Sequence, residues 1–165
     1  MSKPADRIFK NVVVAVAEPT SAQLESGPVT EEADATRTDF PCSVAQERFW
    51  LLDRLDPGNA AYNVAVRWRL EGRIATDLLE HAWLAIIDRH EILRSQFFEV
   101  DGAPVQRIMP TSPFRLAEID LSTLPPDQQL IEADRIGVIE ARAPFDLGSG
   151  PMIRVTLLRL SLIHI

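Results

Sequence analysis

Two short blocks hold the side chains best suited to chemistry. They are Ser43-Val44-Ala45-Gln46-Glu47-Arg48-Phe49-Trp50 and Arg89-His90-Glu91-Ile92-Leu93-Arg94-Ser95-Gln96-Phe97. Arg89 and Arg94 carry planar, permanently charged forks that bind carboxylates bidentately. On a helix they fall at opposite edges of an apolar stripe, a placement that equally allows both to snorkel to solvent. His90 is of the type most used as a general base. It falls on the apolar stripe, where a hydrogen-bonded structural histidine is the commoner outcome. Ser43 with Gln46 forms a capping box, which accounts for both residues without a nucleophilic role. Arg48 and Trp50 are expected either to pack the same helix on a sheet or to border a substrate passage. His81 lies on a polar helix face, and Asp146 reads as a loop carboxylate. Gly148-Ser149-Gly150 has too few glycines for a phosphate loop. Cys42 is the single cysteine, so no internal disulfide and no cysteine-rich zinc site is expected, and no metal ligand set is assigned.

The elements that must position these blocks follow from periodicity. A helix starts at the Ser43 cap, carries Ala45, Phe49, Leu52 and Leu55 at helical spacing, and stops at Asp56-Pro57-Gly58-Asn59. Tyr62, Val64, Val66, Trp68 and Leu70 alternate with mostly polar residues and predict a strand with one apolar face. A second helix is expected from about Asp77 to Leu93, capped by Asp77. Its stripe is Ala75, Leu79, Ala82, Ile86, His90 and Leu93, with Glu80, Asp88 and Glu91 facing away. Ser95–Val100 and Pro104–Met109 flank Asp101-Gly102, a hairpin turn signal. A strand over Phe114–Leu121, a helix over Pro126–Ala143 and a strand over Met152–Leu160 complete the pattern. Gly137 weakens that helix by about 1 kcal/mol relative to Ala. Strands alternating with helices, plus one hairpin, give a mixed α/β layer architecture.

Composition bounds the rest. The chain has 165 residues, 46% hydrophobic and 25% charged, as in a soluble globular chain. A net charge of −7 gives no electrostatic basis for nucleic-acid binding. Val12–Ala17 is too short an apolar run for a membrane span or a full signal-peptide core. Together with the lone cysteine, this points to a cytoplasmic protein. Residues 1–38 read as a flexible acidic leader, since Glu18–Asp39 holds few apolar residues to offset its ordering entropy. Within the leader, Val12–Ala17 has a second reading as a short strand or partner-docking segment.

The two blocks, in this order and with the strand between them, resemble the first two core motifs of the condensation domains of nonribosomal peptide synthetases. The family patterns are Ser-x-Ala-Gln-x-Arg-Leu/Met-Trp/Tyr and Arg-His-x-x-Leu-Arg-Thr-x-Phe; Phe49 and Ser95 are the departures. Ala143-Pro144-Phe145-Asp146-Leu147-Gly148-Ser149-Gly150-Pro151 also resembles that family, so the likeness runs from about Phe40 to about Leu160. It implies most of the N-terminal lobe (residues 39–160) of a chloramphenicol acetyltransferase-like two-lobe fold. It also implies amide formation between acyl or aminoacyl donors and an aminoacyl acceptor, each carried on the phosphopantetheine of a carrier domain, with no cofactor bound directly. The implied partners are peptidyl or acyl carrier domains and adjacent synthetase domains, without nucleic acid or membrane. By the same resemblance Arg89 and Arg94 lie beneath the active site, an ion pair links their motif to the aspartate of His-His-x-x-x-Asp-Gly, and His90 is a supporting residue.

That His-His-x-x-x-Asp-Gly motif is absent from the 165 residues, and His164 comes too soon after Gly150-Pro151 to be its histidine. No catalytic residue is therefore assigned, and the chain is expected to be a silent N-terminal fragment. Its last strand would then leave an unpaired edge prone to association. Residues 161–165 read as an atypical tail, either foreign to the domain or an ordinary continuation of the strand. Met1 lies close to the first motif. The domain is thus expected to open its polypeptide, with a donor from a separate upstream protein or a fatty-acyl starter. Two rival functions remain: a coenzyme A-dependent acyltransferase, and a non-catalytic condensation-like interaction domain.

Overall fold

Strand β7 (Ile153–Leu160) organises the lobe, because its sequence is apolar on both faces. Six of its eight residues are buried, the exceptions being Arg154 and Arg159. Alternation sends Ile153, Val155 and Leu157 to one side and Leu158 and Leu160 to the other, so the strand can only sit between two layers. The computed structural model describes residues 10–17 and 39–161. The rest of the leader and residues 162–165 of the expected tail lie outside the described residues.

Helix α3 (Pro126–Arg142) covers one side of β7, placing Ala133 and Ile136 against Leu121, Leu158 and Leu160. It links β6 (Ala117–Asp120) to β7, and these two strands are parallel, a pairing that requires such a crossover. The other side of β7 receives α2 (Thr76–Arg89), whose Ile87 is 1% exposed among Phe114, Leu116, Ile153, Val155 and Leu157. The packed stripe is Leu79, Trp83, Leu84 and Ile87, rotated from the one expected. Ile86 and His90 are exposed instead, because Trp83 and Ile87 offer more apolar volume than Ala82 and His90. The α-helix also ends at Arg89; Glu91–Arg94 is a short 3-10 turn. Its N-cap is Ala75 with no side-chain bond, and Asp77 lies in the first turn rather than at the cap. Glu80 does not face away: it accepts from the Leu116 backbone N–H at 3.1 Å.

The main sheet has the order β3-β1-β7-β6, where β3 is Val64–Glu71 and β1 is Lys10–Ala17. Strand β1 is antiparallel to both neighbours over all eight residues. The leader reading therefore fails for Lys10–Ala17, and the short strand read at Val12–Ala17 forms with two more residues at its start. The expected unpaired edge on β7 is likewise corrected: β1 lies on one side of it and β6 on the other. Strand β3 is one of the two edge strands, and its apolar row Val64, Val66, Trp68 and Leu70 remains exposed.

A second sheet, of order β2-β5-β4, carries β2 (Asp39–Pro41), β5 (Ala103–Ile108) and β4 (Ser95–Val100). Asp101 (φ 52°) and Gly102 (φ 80°) turn the hairpin, both in the left-handed region that a two-residue turn of the first primed type requires. Helix α1 (Val44–Leu55) starts where the capping box places it. The mixed α/β architecture of the sequence reading stands.

Candidate functional site

The Ser43 backbone N–H donates to the Gln46 side-chain carbonyl at 2.8 Å, and the Gln46 N–H donates to the Ser43 hydroxyl at 3.3 Å. With its carbonyl so fixed, the Gln46 amide nitrogen points away from the helix start and donates to Gln106 Oε1 at 2.9 Å. Gln106 Nε2 in turn donates to the Ser95 hydroxyl at 2.8 Å, and Ser95 donates to the Glu91 carbonyl at 3.0 Å. Ser95 is fully buried. The two sequence blocks are thus joined by a continuous chain of four hydrogen-bonding side chains, Ser43, Gln46, Gln106 and Ser95, ending on the Glu91 carbonyl.

The third family-like stretch meets the same place. The Phe97 N–H donates to the Leu147 carbonyl at 2.8 Å, Gln96 Nε2 donates to the Ser149 carbonyl at 2.7 Å, and the Met152 N–H donates to the Leu93 carbonyl at 3.2 Å. Gly150 has φ 54°, and a Cβ there would lie 3.4 Å from the Ser95 carbonyl oxygen, so this close approach favours glycine. Arg154 fixes the start of the stretch by donating to the carbonyls of Ala143 (2.5 Å) and Pro144 (2.8 Å) while its guanidinium stacks on Phe145 at 3.9 Å. A cation is well placed at that helix C-terminus.

Among the residues singled out from sequence, Arg94 turns inward. Its guanidinium donates to the Met109 carbonyl and pairs with Glu91, its side chain is 13% exposed, and its Nε is buried with no partner among the described residues. Arg89 and His90 are exposed at the end of α2, and neither side chain makes a hydrogen bond or ion pair among the described residues. The structure therefore separates Arg89 from Arg94 rather than setting them on one helix. Arg48 is exposed, while Trp50 is half-buried beneath the Arg54 guanidinium at 5.1 Å. Burial, then the nearby Asp146 carboxylate, pushes Asp53 of α1 above the usual aspartate range, with Arg54 opposing. Burial and Glu47 push the Cys42 thiol up, away from the reactive thiolate form.

Sequence reasoning missed Gln106 and the Asp39–Arg107 pair, in which Arg107 donates to both carboxylate oxygens at 2.6 and 2.8 Å. The signal was there. Once Asp101-Gly102 fixes the turn, Gln106 pairs with Phe97 and therefore lies diagonally across from Ser95 on one face.

The sequence profile of the family described as "Condensation domain" matches residues 36–162, and so takes in all three stretches. The chain belongs to the condensation-domain family. It is 40% identical over 143 residues to phosphinothricin tripeptide synthetase PhsB of Streptomyces viridochromogenes, covering 86% of this chain and 12% of that protein. To chondramide synthase cmdD of Chondromyces crocatus it is 39% identical over 122 residues, covering 74% of this chain and 3% of that protein. Its fold is similar to the solved starter condensation domain of rhizomide synthetase RzmA, with a TM-score of 0.66 and 28% identity. That likeness covers 76% of this chain and 31% of the solved one, so the condensation-family chain described here spans under a third of a solved condensation domain.

Proposed function

We propose that this chain is the first-lobe portion of an amide-forming acyltransferase. That enzyme joins an acyl or aminoacyl donor to an aminoacyl acceptor, both carried on phosphopantetheine arms of carrier domains within a peptide synthetase. The family match across residues 36–162 carries the reading. Carrier domains and neighbouring synthetase domains are the partners, and the setting is cytoplasmic; no helix among the described residues is long and apolar enough to cross a membrane.

The chain's own part is support. Ser43 and Gln46 fix the start of α1, and Gln106 carries that position to Ser95. Arg94, with its buried and unpartnered Nε, is suited to take a carboxylate presented by a catalytic loop. Arg89 and His90, exposed at the end of α2, serve as supporting residues. The catalytic His-His-x-x-x-Asp-Gly motif is not within the 165 residues, so these residues alone form no amide. Catalysis here is largely a matter of bringing two carrier arms together, which needs the second lobe.

A second reading has one observation in its favour. A RzmA starter domain 27% identical to this chain was solved in complex with C8-CoA, and a coenzyme A donor is therefore the rival to a carrier-bound one. The test is a condensation assay on a version extended through the second lobe, with donor offered either on a carrier protein or as free acyl-coenzyme A, beside the 165-residue chain. Amide formed by the extended protein from the carrier-bound donor supports the main reading, and turnover from acyl-coenzyme A alone supports the second. No amide from either donor would sink both.

A further inference from the structure

Strand β1 is the one described element that lies outside the family-matched region, yet it occupies the middle of the main sheet. The match begins at residue 36, whereas β1 is Lys10–Ala17, set between β3 and β7. Its ladders run the full length on both sides, from Lys10 opposite Glu71 and Leu160 to Ala17 opposite Val64 and Ile153. Residues 36–162 alone therefore leave a strand-wide gap between β3 and β7.

Geometry says what else fits there. The opposite side of β7 is taken by β6. A chain that turned back after Leu160 could pair with β7 only on the β1 side. It would run antiparallel to β7, which is the direction of β1. The solved condensation domain is more than three times as long as the part this chain matches, and on the first-lobe reading proposed above, on which this inference rests, polypeptide able to make that return follows β7.

We propose that Lys10–Ala17 is a placeholder strand: it fills the gap between β3 and β7 and is displaced when polypeptide following β7 folds back along it. The gap is a strand-accepting slot with one occupant at a time. In the 165-residue chain the placeholder completes the hydrogen bonds of β7, whose apolar sequence would otherwise present a long open edge for pairing between molecules. Strand addition of this kind draws its affinity from main-chain hydrogen bonds and tolerates sequence change, so two unlike segments can share one slot.

The test is hydrogen–deuterium exchange on three proteins: the 165-residue chain, its Val14→Pro variant, and a version extended through the second lobe. Proline in a central strand removes a ladder hydrogen bond without deleting the segment. In the 165-residue chain the amides of both Lys10–Ala17 and Ile153–Leu160 should be slow. Val14→Pro should speed exchange in both strands and lower the thermal midpoint, and in the extended protein β7 should stay slow while Lys10–Ala17 becomes fast. In that extended protein, Val14→Pro should no longer move the midpoint. Slow exchange at Lys10–Ala17 in the extended protein would overturn the displacement, and slow exchange of the β7 amides that face β1 in the 165-residue Val14→Pro variant would overturn the placement itself. Neither outcome depends on any catalytic activity.

Discussion

Ser95 illustrates how a residue without chemistry of its own can set the geometry of a site. Fully enclosed, its hydroxyl accepts from Gln106 and donates to the Glu91 carbonyl, so the junction between the 3-10 turn and β4 is fixed from two directions. Gln106→Leu leaves Gln46 and Ser95 each short of a partner, and should destabilise the chain by about 1–3 kcal/mol in denaturant unfolding. Gln46→Ala should cost less, because Gln46 is only half-buried. The two changes together should be less than additive, since each breaks the same bond. An additive pair would show that the Gln46–Gln106 bond does not form in solution. Arg94→Ala removes charge-assisted bonds to Met109 and Glu91 and should cost about 1.5–3 kcal/mol. Arg94→Lys should recover part of that, because a point charge cannot fork between two acceptors. Asp53 behaves in the opposite sense. Its folded-state pKa is raised by burial and then by Asp146, so its carboxylate opposes folding at neutral pH, and that penalty is relieved as pH falls through the folded value. Asp53→Asn should therefore raise the thermal midpoint at pH 7 and leave it nearly unchanged in acid; a lower midpoint at pH 7 would refute the assignment.

At the scale of elements, the helix starts, turns and strands with strong local signals were legible, and the packing phase was not. The Ser43 box, the Asp101-Gly102 hairpin and the last strand, β7, are written in a few residues each, and each forms where its pattern places it. The phase of α2 is decided by what lies opposite it. Trp83 and Ile87 win the buried side because Phe114, Leu116 and Leu157 present an apolar surface there, and a helix read alone does not contain that information. Strand β1 was obscured for a related reason: eight residues inside an acidic, polar leader acquire their role only from partners far along the chain, in β3 and β7. Likewise the apolar row of β3 reads from sequence as a buried face, but α2 packs over β7 and leaves that row in the open. Helix α3 offers a direct test of local propensity. Gly137 lines an open cleft of about 450 Å³ between α3 and β3, together with Ala65, Val66, Arg67, Asp134, Val138 and Ala141. Helix propensity alone predicts that Gly137→Ala stabilises the chain by about 0.5–1 kcal/mol through backbone entropy. A loss of stability in calorimetry would mean the cleft closes over that position in solution.

For the molecule as a whole, the net charge of −7 conceals a set of carboxylates that the fold holds in their charged form. Glu118 accepts from the Arg159 Nε–H and from the Thr76 hydroxyl, and these bonds, the arginine's first, hold it below the usual glutamate range. Arg159 also donates to Thr76 and to the Ile74 carbonyl, so one guanidinium ties β7 and β6 to the start of α2. Glu80 is lowered by the Leu116 N–H and then by Arg115, Asp120 by Ser122, and Glu132 by Arg135. In each case the folded-state pKa lies below the unfolded one. The stabilisation is therefore complete above the ordinary carboxylate value, near 4, and is lost as pH falls through the lower folded value. Loss of negative charge on acidification works the other way, by relieving self-repulsion, but exposed charges at long range are screened at physiological salt, whereas bonded pairs are screened less. The paired groups should dominate. The thermal midpoint of the 165-residue chain should hold nearly level from pH 7 to about pH 5 and then fall steeply below about pH 4. Of the four, Glu118 has the partner that also binds two other elements, so Glu118→Gln should lower the midpoint at pH 7 and flatten the acid decline. Glu132→Gln should do little, since Glu132 and Arg135 sit on one helix and their pair is worth only a few tenths of a kcal/mol. A profile in which Glu118→Gln and Glu132→Gln move the midpoint equally would show that the Arg159 network does not join the sheet to α2 in solution.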